Sequence, residues 1–427
     1  MRLPRWPIHK GSAFPKLLSA RWVGQISDGI FQSALASFVL FSPERQPNAV
    51  AAAVAFSVVL LPYSVVGPYV GVLLDRFSRA RVVATANLLR ALDLIIIALL
   101  INNGSTGVAL TLFVLIAFGI NRLILAGLSA GLPLVVSKDE LITSNALAVT
   151  GGTIGVVIGG GIGIGIKSLL DRNHASDISD ALLISIACGA YLLAALITTR
   201  LGKNGIGPLA HETTKEIHGF KEMVAGFKFL KSHGDAMRGI FATGIQRGGL
   251  TALTLMALLL QRNTFNPSSN PDAGLRGFAF TLAIAGVGVG LGAFLSPFGV
   301  LKFGRHFWIK ISMAASIPFL LLISIVQNQY LLAIAGFFVA GFGQSVKVSN
   351  DALVQSKISD IYRGRVFAFY DVAVNGAIVS GAIIAALLLP SSGKSTTLPI
   401  LISLLYLATN LTLLKRTSFS GHSDATN

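Results

Sequence analysis

The sequence is poor in charged residues and in cysteine, and each shortage excludes a class of protein. Only 12% of the residues are charged, whereas 53% are hydrophobic. A chain of 427 residues with this composition lacks the polar side chains that a water-soluble protein needs at its surface. The single cysteine, Cys188, lies in an apolar run, so an intramolecular disulfide is excluded and no thiolate metal site is indicated.

Signatures of catalysis are also missing. The chain has no Walker sequence, no His-Glu-x-x-His motif and no histidine pair spaced to hold a metal. Six of its seven histidines fall in predicted loops or tails, and the seventh, His306, is the second residue of a predicted span, so a histidine proton relay inside a membrane is not expected. We therefore expect no enzyme, no cofactor and no bound metal. Without an ATP-binding domain, any uphill process has to use an ion gradient or a separate partner.

Long apolar runs are what the sequence has in abundance. Runs of about 20 residues are long enough to cross the hydrocarbon core of a bilayer as helices. The chain is therefore predicted to be an all-α polytopic membrane protein with twelve transmembrane helices. These predicted spans, one to twelve, cover 17–41, 49–74, 80–101, 107–136, 141–166, 180–201, 238–261, 275–301, 305–326, 329–355, 364–389 and 396–414.

The basic residues are unevenly divided between the two sides of these spans. A formal net charge of +16 is compatible with nucleic-acid binding, but most of the lysines and arginines lie in the loops on the side of the termini. That asymmetry is typical of membrane topology, in which the cytoplasmic loops are the basic ones. The interpretation is a multi-pass protein of the cytoplasmic membrane, with both termini in the cytoplasm and no nucleic-acid partner.

The chain is predicted to consist of two similar halves. Leu134-Val135-Val136-Ser137-Lys138 ends span four, and Leu353-Val354-Gln355-Ser356-Lys357 ends span ten at the equivalent place. The end of span eight, from Pro297 to Leu301, also resembles the end of span two, from Pro68 to Leu73. Two such matches at equivalent places favour an internal duplication. The predicted domains are a six-helix bundle over 1–201, a cytoplasmic linker over 202–237 and a second six-helix bundle with a short tail over 238–427. Apolar residues recur at helical spacing between Phe220 and Leu230, which predicts an amphipathic helix on the membrane surface within the linker.

The loop between spans two and three carries the most specific motif. It reads Gly-Val-Leu-Leu-Asp-Arg-Phe-Ser-Arg-Ala-Arg from Gly71 to Arg81. This resembles the signature between the second and third helices of the major facilitator superfamily, although Ser78 and Ala80 replace its usual glycine and base. The alternative is a basic cytoplasmic loop of an unrelated polytopic protein. The matching positions are Gly71, Leu73, Asp75, Arg76 and Arg79.

The resemblance implies the fold of two pseudo-symmetric six-helix bundles that work by alternating access. It also implies that the loop is a conformational gate at the cytoplasmic face. Asp75 is expected to face the start of span eleven, near Gly364 and Arg365. The gate residues are therefore Gly71, Asp75, Arg76, Arg79 and Arg365.

Glycines recur along span five from Gly151 to Gly161, in a pattern similar to the antiporter signature of the same superfamily. Val156 stands where that signature has proline, so a plain packing seam remains the alternative interpretation. Glycines four residues apart allow two helices to approach closely. The predicted helix-packing residues are Gly151, Gly155, Gly159 and Gly160, and their expected partner is a helix of the other half.

Ionisable residues within the spans are the candidate functional groups, because burying a charge at membrane depth is unfavourable unless function requires it. Arg90 and Asp93 are three residues apart and are expected to pair, which leaves Arg122 as the predicted partner of Asp28. Lys347 and Asp351 are spaced to pair on one helix.

Further segments resemble bacterial exporters of the enterobactin-exporter type. They are Asp28-Gly29, the stretch from Asp139 to Leu147, and Arg363-Gly364-Arg365. The resemblance implies proton-coupled efflux of a small molecule, with Asp28 and then Asp93 as proton carriers, by a functional monomer. The predicted substrate-cavity residues are Gln25, Gln32, Arg90, Arg122, Arg247 and Lys347. Two alternatives remain: a proton-coupled importer of the same fold, and a non-transporting scaffold or receptor.

Overall fold

The structure is a computed structural model in which all regular secondary structure of the described residues is helical. The described residues are 13–40, 73–74, 77–137, 141–202, 205–207, 224, 227–231, 234–266, 271–357 and 360–414. They divide into two compact units, and the first contains five long helices. These are α1 Phe14–Leu35, α2 Arg79–Asn102, α3 Val108–Gly131, α4 Leu141–Leu170 and α5 Ser176–Thr199. A π-helical turn, Ala36–Leu40, extends α1.

The second unit contains the remaining helices. They are α6 Gly234–Asn263, α7 Pro271–Phe303, α8 Arg305–Ala315, α9 Ile317–Ile325, α10 Gln329–Lys357, α11 Asp360–Leu388 and α12 Thr397–Leu411. Gly304 separates α7 from α8 with a φ of 77°, a conformation that side chains other than glycine rarely adopt. Pro318, in the first turn of α9, follows the break after α8.

The helices coincide with the predicted spans. Span nine corresponds to α8 followed by α9, and span two lies outside the described residues apart from 73–74. Within the described part of the chain, eight helical stretches are long and apolar enough to cross a membrane. Neither α1 nor α6 is among them, because both carry charged and amide side chains along their length. These two polar helices are the first helices of their units.

The same packing pattern occurs in both units. In the first unit, α1 packs along α4 and α2 along α5. In the second, α6 packs along α11, and α9 contacts α12. Numbered by predicted span, each unit therefore pairs its first helix with its fifth and its third with its sixth. This agreement supports the predicted duplication.

Parts of the predicted linker pack against the helices. Ile206 is fully buried, and a Cβ on Gly131 at the end of α3 would lie 2.6 Å from its side chain. Residues 227–231 are helical, and Leu230 is buried with Ile240 of α6 and Val366 of α11. The expected amphipathic helix thus turns Leu230 toward protein rather than toward lipid.

Candidate functional site

An ion pair between Asp28 of α1 and Arg90 of α2 lies at the centre of the first unit. The Arg90 Nη2 atom is 2.5 Å from the Asp28 Oδ1 atom, and both residues have no exposed surface. Asp28 is in the fourth turn of α1 and Arg90 in the middle of α2, so the pair lies at membrane depth. A buried charge is tolerated there only with a close partner of opposite charge.

Further donors complete the surroundings of the Asp28 carboxylate. The Tyr191 hydroxyl of α5 donates to Oδ1 at 2.6 Å, and the Gln25 amide donates to Oδ2 at 3.1 Å. The buried side chain of Asn121, on α3, also hydrogen-bonds to this carboxylate. Four helices thus supply the carboxylate and its donors, and all these donors favour its ionised form.

Arg90 is held equally firmly. Its guanidinium also donates to the Ala117 carbonyl of α3. The Arg90 Cζ atom lies 4.8 Å from the centre of the Tyr191 ring and 5.8 Å from that of Phe31. A guanidinium over aromatic faces is stabilised by the negative face of each ring. Arg90 therefore connects α1, α2, α3 and α5.

Asp93 is the second acid beside Arg90. It is 5% exposed and lies one helical turn beyond Arg90 on α2, close enough for electrostatic interaction with its charge. Its Oδ2 atom is buried and accepts no hydrogen bond from any described residue. The site therefore contains one acid that is fully supplied with donors and one that is not.

The predicted pairing of these charges is wrong in two respects. Arg90 pairs with Asp28 rather than with Asp93, its neighbour on the same helix. Arg122 is not the partner of Asp28, because the preceding residue on α3, Asn121, is the one that reaches the carboxylate. Successive helical residues point about 100° apart, so Asn121 and Arg122 cannot share one direction.

A second polar cluster lies in the second unit, between α6, α10 and α11. The Arg247 Nη2 atom donates to Gln344 Oε1 at 2.6 Å. Lys347 Nζ lies 2.5 Å from Asp351 Oδ2, which confirms the pairing predicted from their spacing. The Asn350 amide donates to the Tyr370 hydroxyl at 3.3 Å.

The glycines of α4 form a packing seam, but their partner differs from the expected one. A Cβ on Gly159 would lie 2.0 Å from the Ile26 carbonyl oxygen of α1, and one on Gly151 would overlap the Trp22 ring. Gly155 and Gly160 have looser contacts with the same helix. The seam therefore lies against α1 of the same half, and the predicted contact with a helix of the other half is wrong. Only glycine fits on both sides, since a Cβ on Gly29 would overlap the Val156 carbonyl oxygen.

Of the predicted gate residues, the structure describes Arg79 fully. Its Nε atom donates to the Leu74 carbonyl and its Nη1 atom to the Ala130 carbonyl, both at 3.3 Å. Its backbone N–H donates to the Gly207 carbonyl at 2.9 Å. Arg79 thus fastens the start of α2 to the end of α3 and to the linker. Arg365 lies on α11 with its side chain undescribed, and Gly71, Asp75 and Arg76 lie outside the described residues.

The remaining predicted cavity residue is Gln32, which lies one turn beyond Asp28 on α1 and is half-buried. The sequence reasoning did not identify Tyr191, Asn121 or Gln344. Each is an uncharged polar residue inside an apolar span, and such residues are a weaker signal of function than ionisable groups. Amide and phenol side chains within the predicted spans are the sequence signal that points to all three.

Among curated proteins, the chain is similar to transporters over most of its length. It is 29% identical over 408 residues to an uncharacterised MFS-type transporter of Mycobacterium tuberculosis, covering 92% of this chain and 89% of the relative. It is 24% identical over 381 residues to macrolide efflux protein A of Streptococcus pyogenes, covering 86% and 87%.

Solved structures support the fold. The nucleoside transporter NupG superposes with a TM-score of 0.70 at 14% identity, covering 96% of this chain and 100% of that one. A bacterial homologue of the iron transporter ferroportin gives a TM-score of 0.66 at 14% identity, covering 95% and 99%.

A sequence profile of the Major Facilitator Superfamily matches residues 20–382. This match covers most of the chain, and it agrees with the helical structure and with the superpositions. The protein is a multi-pass membrane transporter with the twelve-helix fold predicted from its sequence. It belongs to the Major Facilitator Superfamily.

Proposed function

We propose that this protein is a proton-coupled exporter that moves a small molecule across the cytoplasmic membrane by alternating access. The observation that carries the proposal is the buried group formed by Asp28, Arg90 and Asp93. It places two acids and one base at membrane depth, where unneeded charges are strongly disfavoured. A scaffold or receptor without transport activity has no use for such a group.

The two acids have different roles in this proposal. Asp28 stays ionised, because Arg90, Tyr191 and Gln25 all donate to it. Asp93 carries the proton, because its buried Oδ2 atom lacks a donor among the described residues. With Asp93 protonated the group has no net charge, and with Asp93 ionised it carries one negative charge. A substrate that binds one of these two states more tightly changes the proton affinity of the group. By linkage, the proton changes the affinity for the substrate by the same factor.

Export is favoured over import by the similarity to macrolide efflux protein A, whose name describes movement out of the cell. The second polar cluster, with Arg247 and Lys347, supplies further cavity groups in the other unit. We infer the same organisation as the sequence predicts: bundles over 1–201 and 238–427, a linker over 202–237, both termini in the cytoplasm, and function as a monomer. The basic loops support this orientation.

Transport by purified protein in proteoliposomes tests the proposal. The probes are a panel of radiolabelled drugs and metabolites, which includes erythromycin, a macrolide, and compounds that carry a carboxylate or a phosphate. An exporter that exchanges substrate for protons accumulates its substrate in vesicles with an acidic lumen. An importer that carries both together accumulates substrate when the outside is acidic. Accumulation driven only by an acidic exterior would contradict export and establish the importer.

A further inference from the structure

The polar cluster of the second unit contains more positive than negative charge. Arg247 on α6 and Lys347 on α10 are its cations, and Asp351 is the acid beside them. Lys347 already binds Asp351, with 2.5 Å between Nζ and Oδ2. The Arg247 guanidinium donates to Gln344, whose amide is uncharged. Asp351 is also the acid whose charge acts on Arg247. The group therefore carries one net positive charge among the described side chains.

The buried arginine of the first unit, unlike Arg247, has a carboxylate partner among the described residues. Arg90 is fully buried and has a carboxylate partner, Asp28, at 2.5 Å. Arg247 lies near the middle of α6, and no described carboxylate forms an ion pair with it. Because an uncompensated charge at this depth is unfavourable, an anion is the natural complement of Arg247.

The cluster is also accessible. Gln344, Lys347 and Asp351 are three and four residues apart, so they lie along one face of α10. The side chain of Lys347 is 39% exposed and that of Asp351 24% exposed. Gln344 and Arg247 are half-buried. Charged groups that are exposed at membrane depth face water-filled space rather than lipid.

We propose that Arg247, Gln344 and Lys347 bind an oxyanion group of the substrate, a carboxylate or a phosphate. The guanidinium offers parallel donors that match the two oxygens of such a group, and the Lys347 ammonium adds a point charge. The Asp351 carboxylate repels an oxyanion and also pairs with Lys347. Both effects lower the affinity of the site for the oxyanion. This inference rests on the proposed function, since it names the class of substrate that is transported.

Ligand-induced thermal stabilisation of the purified full-length protein tests the site without any transport. The single cysteine, Cys188, is 6% exposed in the folded state, so a thiol-reactive fluorescent dye reports its exposure on unfolding. The probes are phenyl phosphate and benzoate, with benzamide and benzylamine as neutral and cationic matches at constant ionic strength. We expect the two anions to raise the melting temperature in a saturable way and the other two to have no effect.

Variants with opposite expected effects distinguish a binding site from a structural network. Arg247→Gln should weaken anion binding about tenfold, because it removes a charge-assisted donor pair. Asp351→Asn should strengthen it, because it removes the repelling charge and releases Lys347. Arg276→Gln, at an exposed position on α7, is the control for nonspecific attraction to a chain of net charge +16 and should bind like the parent.

Several outcomes would overturn the inference. They are equal stabilisation by benzamide, unchanged anion binding in Arg247→Gln, and weaker binding in Asp351→Asn. If phosphatidylglycerol raised the melting temperature and neither soluble anion did, the cluster would be a site for a lipid headgroup. That result would contradict a substrate site. The protein could bind the anions through Arg247 and yet transport no probe in response to a proton gradient. That result would contradict proton-coupled export but would still support the oxyanion site.

Discussion

Asp28 and Arg90 form a buried ion pair, with 2.5 Å between Oδ1 and Nη2. Removing one partner of a buried ion pair leaves an uncompensated charge, which is typically destabilising by about 3–5 kcal/mol. We therefore expect Asp28→Asn to lower the melting temperature strongly, because the fully buried Arg90 then lacks its carboxylate. The double variant Asp28→Asn, Arg90→Gln should recover most of that loss. Melting curves of the two single variants and the double variant measure this coupling, and additive losses would show that the pair is not the source of stability.

Asp93 offers the cleaner test of proton coupling. No described residue donates a hydrogen bond to the Asp93 Oδ2 atom. Replacing this oxygen with the NH₂ group of asparagine therefore breaks no such hydrogen bond. Asp93→Asn should therefore fold normally, abolish accumulation driven by a proton gradient, and retain exchange of labelled for unlabelled substrate. Proteoliposome uptake and counterflow separate the two activities. Gradient-driven accumulation equal to that of the parent would remove Asp93 from the coupling mechanism.

At the scale of residues, the sequence predicts which side chains matter better than it predicts which of them touch. A charge inside an apolar span is visible without a structure, and Asp28, Arg90 and Arg247 were found in this way. Their partners depend on the rotation of one helix against another, which a single sequence does not encode locally. Hence Arg122 was expected where Asn121 and Tyr191 make the contacts.

At the scale of helices, the seam between α1 and α4 determines how the first unit packs. Gly159→Ala should destabilise the protein by about 3 kcal/mol or more, because its Cβ would lie 2.0 Å from the Ile26 carbonyl oxygen, a backbone atom that cannot rotate away. Gly161→Ala is the matched control on the same helix, since its Cβ meets nothing within 4 Å. Alanine there should be neutral or stabilise the helix by up to about 1 kcal/mol. Equal melting temperatures of the two variants would refute the seam.

The second unit contains an equivalent seam, between α6 and α11. A Cβ on Gly381 would lie 2.1 Å from the Gly248 carbonyl oxygen. In both units the first and fifth helices therefore approach through glycine. The sequence predicted close packing at span five correctly, since glycine spacing is a local property. The partner was assigned wrongly, because glycine spacing does not specify which helix lies opposite.

At the scale of the whole molecule, hydropathy was enough to predict an all-helical membrane protein, and every predicted span except the second coincides with described helices. The reason is physical: a bilayer requires internally hydrogen-bonded helices of nearly fixed length. The break between α8 and α9 was not predicted, because only Pro318 marks its position within span nine. Direction of transport is not encoded by hydropathy at all, so it has to come from the charged groups and from experiment.

Proton coupling makes a further prediction for the transporter as a whole, one that separates a pH gradient from a membrane voltage. If one proton neutralises the group of Asp28, Arg90 and Asp93, exchange of one proton for a substrate with one negative charge moves two charges across the membrane in each cycle. Accumulation in vesicles should then respond both to an acidic lumen and to a lumen-positive voltage set by potassium and valinomycin. The expected inside-to-outside ratio of a probe with one negative charge rises about tenfold for each pH unit or for each ~30 mV of voltage. Asp93→Asn should lose both responses together. A variant that lost the response to pH while keeping the response to voltage would show that the transported charge lies elsewhere, and the proton would then have to be sought at Asp351 or Asp371.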